Sequence, residues 1–126
     1  MAYPGSDKHH SFAKSVGFAL AGIKWSFRER NMKIHYFMAV AIVMAGCFFS
    51  LTKVEWLFIL SCVGGVIALE MLNTAIEAVV DLVTDEFHEL ARIAKDTAAG
   101  AVLVYSIYSL IVGIIIFFPK MLSIVA

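Results

Sequence analysis

The chain has 126 residues, of which 61% are hydrophobic and 16% charged, with a mean hydropathy of +0.87. Soluble domains carry about a quarter charged residues, so the composition excludes an ordinary soluble domain and describes a membrane protein. A net charge of zero offers no basic surplus for nucleic acid. Cys47 and Cys62, both inside apolar runs, are expected to be free thiols rather than a disulfide or metal site.

The first thirty residues are punctuated by polar side chains and lack the compact apolar core of a cleavable signal peptide. Instead, Phe12, Val16, Leu20, Ile23 and Phe27 recur at helical spacing, with Lys14, Lys24 and Arg28 off the stripe. That pattern predicts an amphipathic surface helix over 6–31, lying in the plane of a membrane interface. The first spanning helix is expected at 34–52, long enough for a hydrocarbon core of about 30 Å. Lys53 and Glu55 mark a short connection, so the second helix, 54–83, must return antiparallel. Residues 84–98 read as a charged connection in which Thr84 or Asp85 caps a short helix. The third span is expected at 99–118, stopped by Pro119 and Lys120. The fold class is therefore an all-α integral membrane protein, a single domain of three spans plus a surface helix.

Within the second span, Glu70, Asn73, Glu77 and Asp81 stand at offsets 0, 3, 7 and 11. At 100° per residue they fall within an arc of about 80°, so all four share one helix face. Ionisable groups at membrane depth are costly and mark functional sites, and three acids without a basic partner on their own face make poor helix-to-helix glue. Sixteen residues separate Val54 from Glu70, about 24 Å of helix. Glu70 is thus expected just inside the apolar boundary, desolvated and with a raised pKa, suited to accept a proton from a group at headgroup level. Glu77 and Asp81 lie further out, where carboxylates stay ionised and can bind a hard cation such as Mg²⁺. Glu29 offers a further acid on the same side, and Lys95 and Asp96, near the start of the third span, lie there too. No phosphate-cradling Gly-rich loop, His-Glu-x-x-His pair or nucleophile elbow occurs. Phosphoryl transfer from a nucleotide to a membrane alcohol fits this inventory, because it needs mainly positioning and charge neutralisation. A channel or transporter subunit is the rival from another class. Its acids should continue through the bilayer, yet between Val54 and Leu69 only Glu55, at the rim, is acidic.

The run Glu70-Met-Leu-Asn-Thr-Ala-Ile-Glu-Ala-Val-Val-Asp81, followed by Glu86-Phe-His-Glu-Leu90 and Ala94-Lys-Asp96, closely resembles the signature of the prokaryotic diacylglycerol kinase family. Ala98-Ala-Gly-Ala-Val-Leu103 resembles its Gram-positive branch, whose members phosphorylate undecaprenol. The resemblance covers essentially the whole chain. It implies an MgATP-dependent lipid kinase of the bacterial plasma membrane, a homotrimer with active sites shared between neighbouring subunits. Carried over by position, Glu70 is the general base on the lipid hydroxyl, and Glu29 and Glu77 are the Mg²⁺ ligands. Glu29, Glu77, Glu86, Phe87, His88, Lys95 and Asp96 match nucleotide-contacting positions, with Lys95 on the phosphates. Asn73 stands beside the base, and Asp81 supports the site. The sequence departs from the diacylglycerol-using branch at Ser11, Phe18 and Ala99, and one residue is missing between Gly22 and Glu29. The lost tyrosine and serine hydroxyls at Phe18 and Ala99 favour a long isoprenoid alcohol over an ester-bearing glycerolipid. Diacylglycerol is the alternative acceptor.

Orientation follows from the basic residues. Lys8, Lys14, Lys24, Arg28, Arg30, Lys33, Arg92 and Lys95 fall on one side, against Lys53 and Lys120 on the other, eight to two. The positive-inside rule then places the N-terminus and the second connection in the cytoplasm and the C-terminus outside. A periplasm- or exterior-active reporter fused after Ala126 should be active, and a cytoplasm-active one silent; the reverse result would invert this topology.

Overall fold

The computed structural model describes residues 11–126 and is all-helical: α1 Phe12–Ser26, α2 Arg30–Phe48, α3 Lys53–Val83 and α4 Glu89–Val125. The last three are long and apolar enough to cross a membrane, and at 1.5 Å per residue α3 and α4 run to about 46 and 55 Å. Both exceed the hydrocarbon thickness, so their charged ends project beyond it.

Helix boundaries follow local chemistry. Ser11 caps α1 by accepting from the Lys14 N–H at 3.3 Å. The expected continuous helix over 6–31 is corrected: residues 6–10 lie outside the described residues, and α1 stops at Ser26. There the Ser26 hydroxyl bonds back to the Ile23 carbonyl at 2.5 Å and lies 3.2 Å from the Tyr36 hydroxyl. Phe27 stacks on Tyr36 with ring centroids 4.1 Å apart. These contacts fold the chain over, and Glu29, in an extended conformation, starts α2. Thus α2 begins at Arg30 rather than 34 and ends at Phe48 rather than 52. Ser50 adopts a left-handed φ of 52°, and the Leu51 N–H reaches back to the Gly46 carbonyl at 3.3 Å. This is the six-to-one bond of a Schellman stop. Gly46 is required here, because a Cβ would run into the Trp56 ring and Leu51. Immediately afterwards Thr52 and Glu55 form a reciprocal capping box, at 3.2 and 3.1 Å, that starts α3.

Two further boundaries correct the sequence reading. Neither Thr84 nor Asp85 caps the following helix. Thr84 closes α3, and its hydroxyl accepts from the Glu86 N–H at 3.1 Å. The cap is His88, whose Nδ1 accepts from the Leu90 N–H at 3.1 Å. Residues 89–98, expected in a connection, are therefore the first turns of α4. At the other end Pro119 does not stop α4, which continues to Val125. The proline deletes one backbone donor, while Lys120 one residue later is pinned to Glu55 of α3 at 3.1 Å.

Packing is concentrated between α3 and α4, with α2 leaning more lightly on α3. Leu51, Ile59 and Ile116 form a small buried core near the end where α2 turns into α3, flanked by Phe49, Trp56 and Phe117. Most other large apolar side chains face outward. Such a surface suits lipid as solvent, where helices associate through close packing and hydrogen bonds rather than water exclusion. One close approach is visible at Gly65, which lies against the Tyr105 ring. The Tyr105 hydroxyl donates to the Ser61 carbonyl at 2.9 Å. Two ion pairs bracket this hairpin: Glu55–Lys120 at one end, and Asp81–Lys95 at 2.5 Å at the other. They are 26 residues apart on α3 and 25 on α4 (81 minus 55, 120 minus 95), about 38 Å of helix.

Gly65→Ala should drive the Tyr105 ring off α3 and destabilise the hairpin by about 1–3 kcal/mol, the usual range for overpacking. Gly64→Ala, where a Cβ meets nothing within 4 Å, should stay within about 0.5 kcal/mol of the parent. Reversible unfolding in mixed micelles measures both.

Candidate functional site

The polar face of α3 is graded in burial. Glu70 is 4% exposed and Asn73 6%, Glu77 is half-buried and Asp81 exposed. The gradient arises because α3 enters the packed bundle from its charged end. Facing the Glu70 carboxylate across the helix interface is His35 of α2, with Nε2 3.7 Å from Oε2. One turn further along α3, Asn73 donates through Nδ2 to Glu77 Oε1 at 3.3 Å. Its Oδ1 is buried and has no hydrogen-bond partner. An orphaned buried acceptor is costly, and beside a carboxylate it is an oxygen donor available to a cation or to an incoming N–H or O–H group.

Beyond the apolar zone, α3 and the start of α4 are joined electrostatically. Lys95 Nζ donates to Asp81 Oδ1 at 2.5 Å. Chiefly this hydrogen bond, with Coulombic help from Asp81 and Glu77, holds the Lys95 ammonium pKa above its ordinary value. Asp96 accepts from Arg92 at 3.0 Å, and Arg92 also grips Glu89 at 2.5 and 3.3 Å. These neighbours, Glu89 foremost, raise the already high pKa of the Arg92 guanidinium. Glu86 and Phe87 are exposed in the α3–α4 connection, and His88 is committed through Nδ1 to capping α4. Ala99 is exposed on α4 just beyond buried Ala98. Glu29 is half-buried at the start of α2, where its side chain forms no cap bond.

The structure thus joins Asn73 to Glu77, Asp81 to Lys95 and Asp96 to Arg92. Among the described residues no three His, Cys, Asp or Glu side chains converge as a metal site. The donor set is nonetheless oxygen throughout: Glu29, Glu77 and the free Oδ1 of Asn73. It fits Mg²⁺, which typically takes one or two protein carboxylates and completes its shell with phosphate and water.

His35 is the residue that sequence reading missed. Its place at the start of the apolar run of α2, two residues past Lys33, is the available signal. His35 also lines an apolar cleft of about 490 Å³ between α2, α3 and α4. The cleft runs from His35, Ile67 and Ser106 to Ile59 and Met121. Cys62 lines it as a buried free thiol, while Cys47 is free on the outer surface of α2.

Residues 17–117 match the prokaryotic diacylglycerol kinase family. The chain is 47% identical over 111 residues to the undecaprenol kinase of Bacillus subtilis strain 168, covering 87% of this chain and 90% of that protein. A diacylglycerol kinase of Synechocystis is 46% identical over 113 residues, with 86% of this chain and 63% of that protein covered. The diacylglycerol kinase of Escherichia coli K12 is 34% identical over 104 residues, covering 78% and 81%.

Because the folded-state pKa of Lys95 is raised, the contribution of its pair with Asp81 is complete below the ordinary lysine value. It is lost as pH rises through the raised one. Asp81→Asn should bring the Lys95 titration back down toward the ordinary lysine range and speed amide exchange over residues 89–96. NMR on lysine-labelled protein follows the first effect and hydrogen exchange the second; an unmoved titration would mean that the pair does not form.

Proposed function

The chain belongs to the prokaryotic diacylglycerol kinase family, and from that premise we propose that it transfers the terminal phosphoryl group of MgATP to the hydroxyl of undecaprenol. The observation that carries this reading is Glu70. It is a carboxylate almost wholly withdrawn from solvent, facing a residue that lines an apolar cleft, on a helix whose next acids emerge toward water. A lipid alcohol delivers its hydroxyl at that level and keeps its chain among apolar side chains.

In the reaction Glu70 takes the hydroxyl proton. The freed oxygen electron pair forms the new O–P bond, while the bond from that phosphorus to the ADP oxygen breaks. Glu29 and Glu77 would hold Mg²⁺, assisted by the Asn73 amide oxygen. When bound, the ion neutralises charge on the phosphates, the main need of phosphoryl transfer. Lys95, held charged by Asp81, exchanges that partner for a nucleotide phosphate. Glu86, Phe87, His88 and Asp96 border the nucleotide.

One chain leaves this site half-assembled. The Glu29 side chain bonds to nothing on the α3 face among the described residues, and most of the apolar surface is uncovered. These features support a homotrimer whose sites combine residues of neighbouring subunits. The exposed stripe of Phe12, Val16, Leu20, Ile23 and Phe27 supports α1 lying as an amphipathic helix in the cytoplasmic interface of the plasma membrane. The methyl of Ala99 and the ring of Phe18 supply no hydroxyl for the ester groups of a glycerolipid, which favours the single-hydroxyl isoprenoid over diacylglycerol.

Purified protein given MgATP and either undecaprenol or diacylglycerol in the same micelles should phosphorylate undecaprenol with at least a roughly tenfold higher kcat/KM, a difference of about 1.4 kcal/mol in transition-state binding. Preference for diacylglycerol would reverse the acceptor assignment, and inactivity on both would overturn the kinase reading.

A further inference from the structure

We propose that His35 is a positioning residue for the transfer, donating from Nε2 to the Glu70 carboxylate so that its other oxygen faces the acceptor hydroxyl. This deepens the reading of Glu70 as the base and rests on it.

The geometry is specific. Nε2 lies 3.7 Å from Oε2 of Glu70, with the two side chains 22% and 5% exposed. A side-chain adjustment of about 0.5–1 Å brings this pair to ordinary hydrogen-bond length. Contacts of this kind in unliganded sites often tighten only when substrate arrives. Glu70 needs such a partner. Its neighbour Asn73 turns its amide NH2 toward Glu77, donating to Oε1 at 3.3 Å, rather than toward Glu70. Among the described residues His35 is the one cationic or potentially cationic side chain within ion-pair distance of Glu70. A carboxylate removed from water requires a donor to remain an acceptor of protons.

The surroundings of His35 contain little that competes for its ring. From α3 it faces Glu70 and, along the cleft, the Cys62 thiol. The α4 wall opposite is Ser106, Ser109 and Leu110, none of which ionises near neutral pH. On α2 itself Arg30 and Lys33 are exposed, and Tyr36 is occupied with Ser26 and Phe27. From the α1 side, Ser26 and Phe27 turn to Tyr36. His35 also lines the apolar cleft, so the cleft reaches the residue that faces Glu70. The arrangement resembles other sites in which a second group orients the base. Here the order runs acceptor, Glu70, His35.

The test compares a donor with no donor at this position. His35→Leu should lower kcat by about tenfold to a hundredfold, the range for a hydrogen bond to a charged group, and leave KM for ATP unchanged. The acid limb of its rate profile should move to higher pH, because the carboxylate then protonates more readily without its donor. His35→Gln, whose amide can donate to Oε2, should recover most of the rate and bring the limb back. Glu70→Gln, run alongside, should be nearly inactive, and adding His35→Leu to it should cost nothing further, since the two act as one unit. If His35→Leu fails to fold in micelles, His35→Met against His35→Gln supplies the same contrast. A parental rate and profile in His35→Leu would overturn the proposal, and so would a reduced rate with an unmoved acid limb, which marks a purely structural contact. Parental turnover in Glu70→Gln is the distinct outcome that removes the base assignment itself.

Discussion

Keeping one carboxylate out of water at the edge of an apolar layer is the constraint on which the rest of this molecule depends. An isolated ion there is expensive, and Glu70 becomes tolerable only because α2 brings His35 against it and because α3 soon leaves the apolar zone through Glu77 and Asp81. The pairing requires α2 and α3 to be antiparallel neighbours. That in turn depends on the abrupt stop at Gly46–Ser50–Leu51 and the immediate restart at the Thr52–Glu55 capping box. The tight turn at one end of the hairpin thus fixes which residue of α2 meets Glu70 at the other.

The same constraint accounts for the small core. A water-soluble chain would bury its large apolar residues, whereas here the buried cluster is confined to Leu51, Ile59, Ile116 and their flanks. Lipid offers little reason to hide hydrocarbon. Specificity comes instead from close backbone approach, as at Gly65 under Tyr105, and from hydrogen bonds and ion pairs at the two ends. The uncovered surface is the solvent-facing side of a protein whose solvent is lipid.

Much of this was legible in the amino-acid sequence, and the parts that were not have identifiable causes. Hydropathy located the three long helices, and the 3.6-residue period placed Glu70, Asn73, Glu77 and Asp81 on one face. Both are local regularities that a linear reading captures. The end of α1 was missed because it rests on Ser26 and Phe27 meeting Tyr36, ten and nine residues away. The start of α4 was misplaced because His88 is an uncommon cap, and charge density over 84–98 looked like a loop. Pro119 was read as a stop from its intrinsic cost, although α4 continues through it. His35 escaped because its partner lies 35 residues away on another helix. For α1 and for His35 the missing term was a contact between distant residues; for α4 it was the local chemistry of an uncommon cap.

The paired ends of the α3–α4 hairpin have a mechanical consequence. With Glu55–Lys120 and Asp81–Lys95 about 38 Å apart along the helices, the hairpin carries a gauge of set length. That length exceeds a hydrocarbon layer of about 30 Å but falls within the 40–45 Å that includes headgroups. Glu70 holds a constant height on the gauge, eleven residues from the Asp81 clamp. The height of an acceptor hydroxyl is set by the bilayer, not by the protein. Lipid length and helix tilt therefore decide how well the two levels coincide, which makes membrane thickness itself a variable of the chemistry.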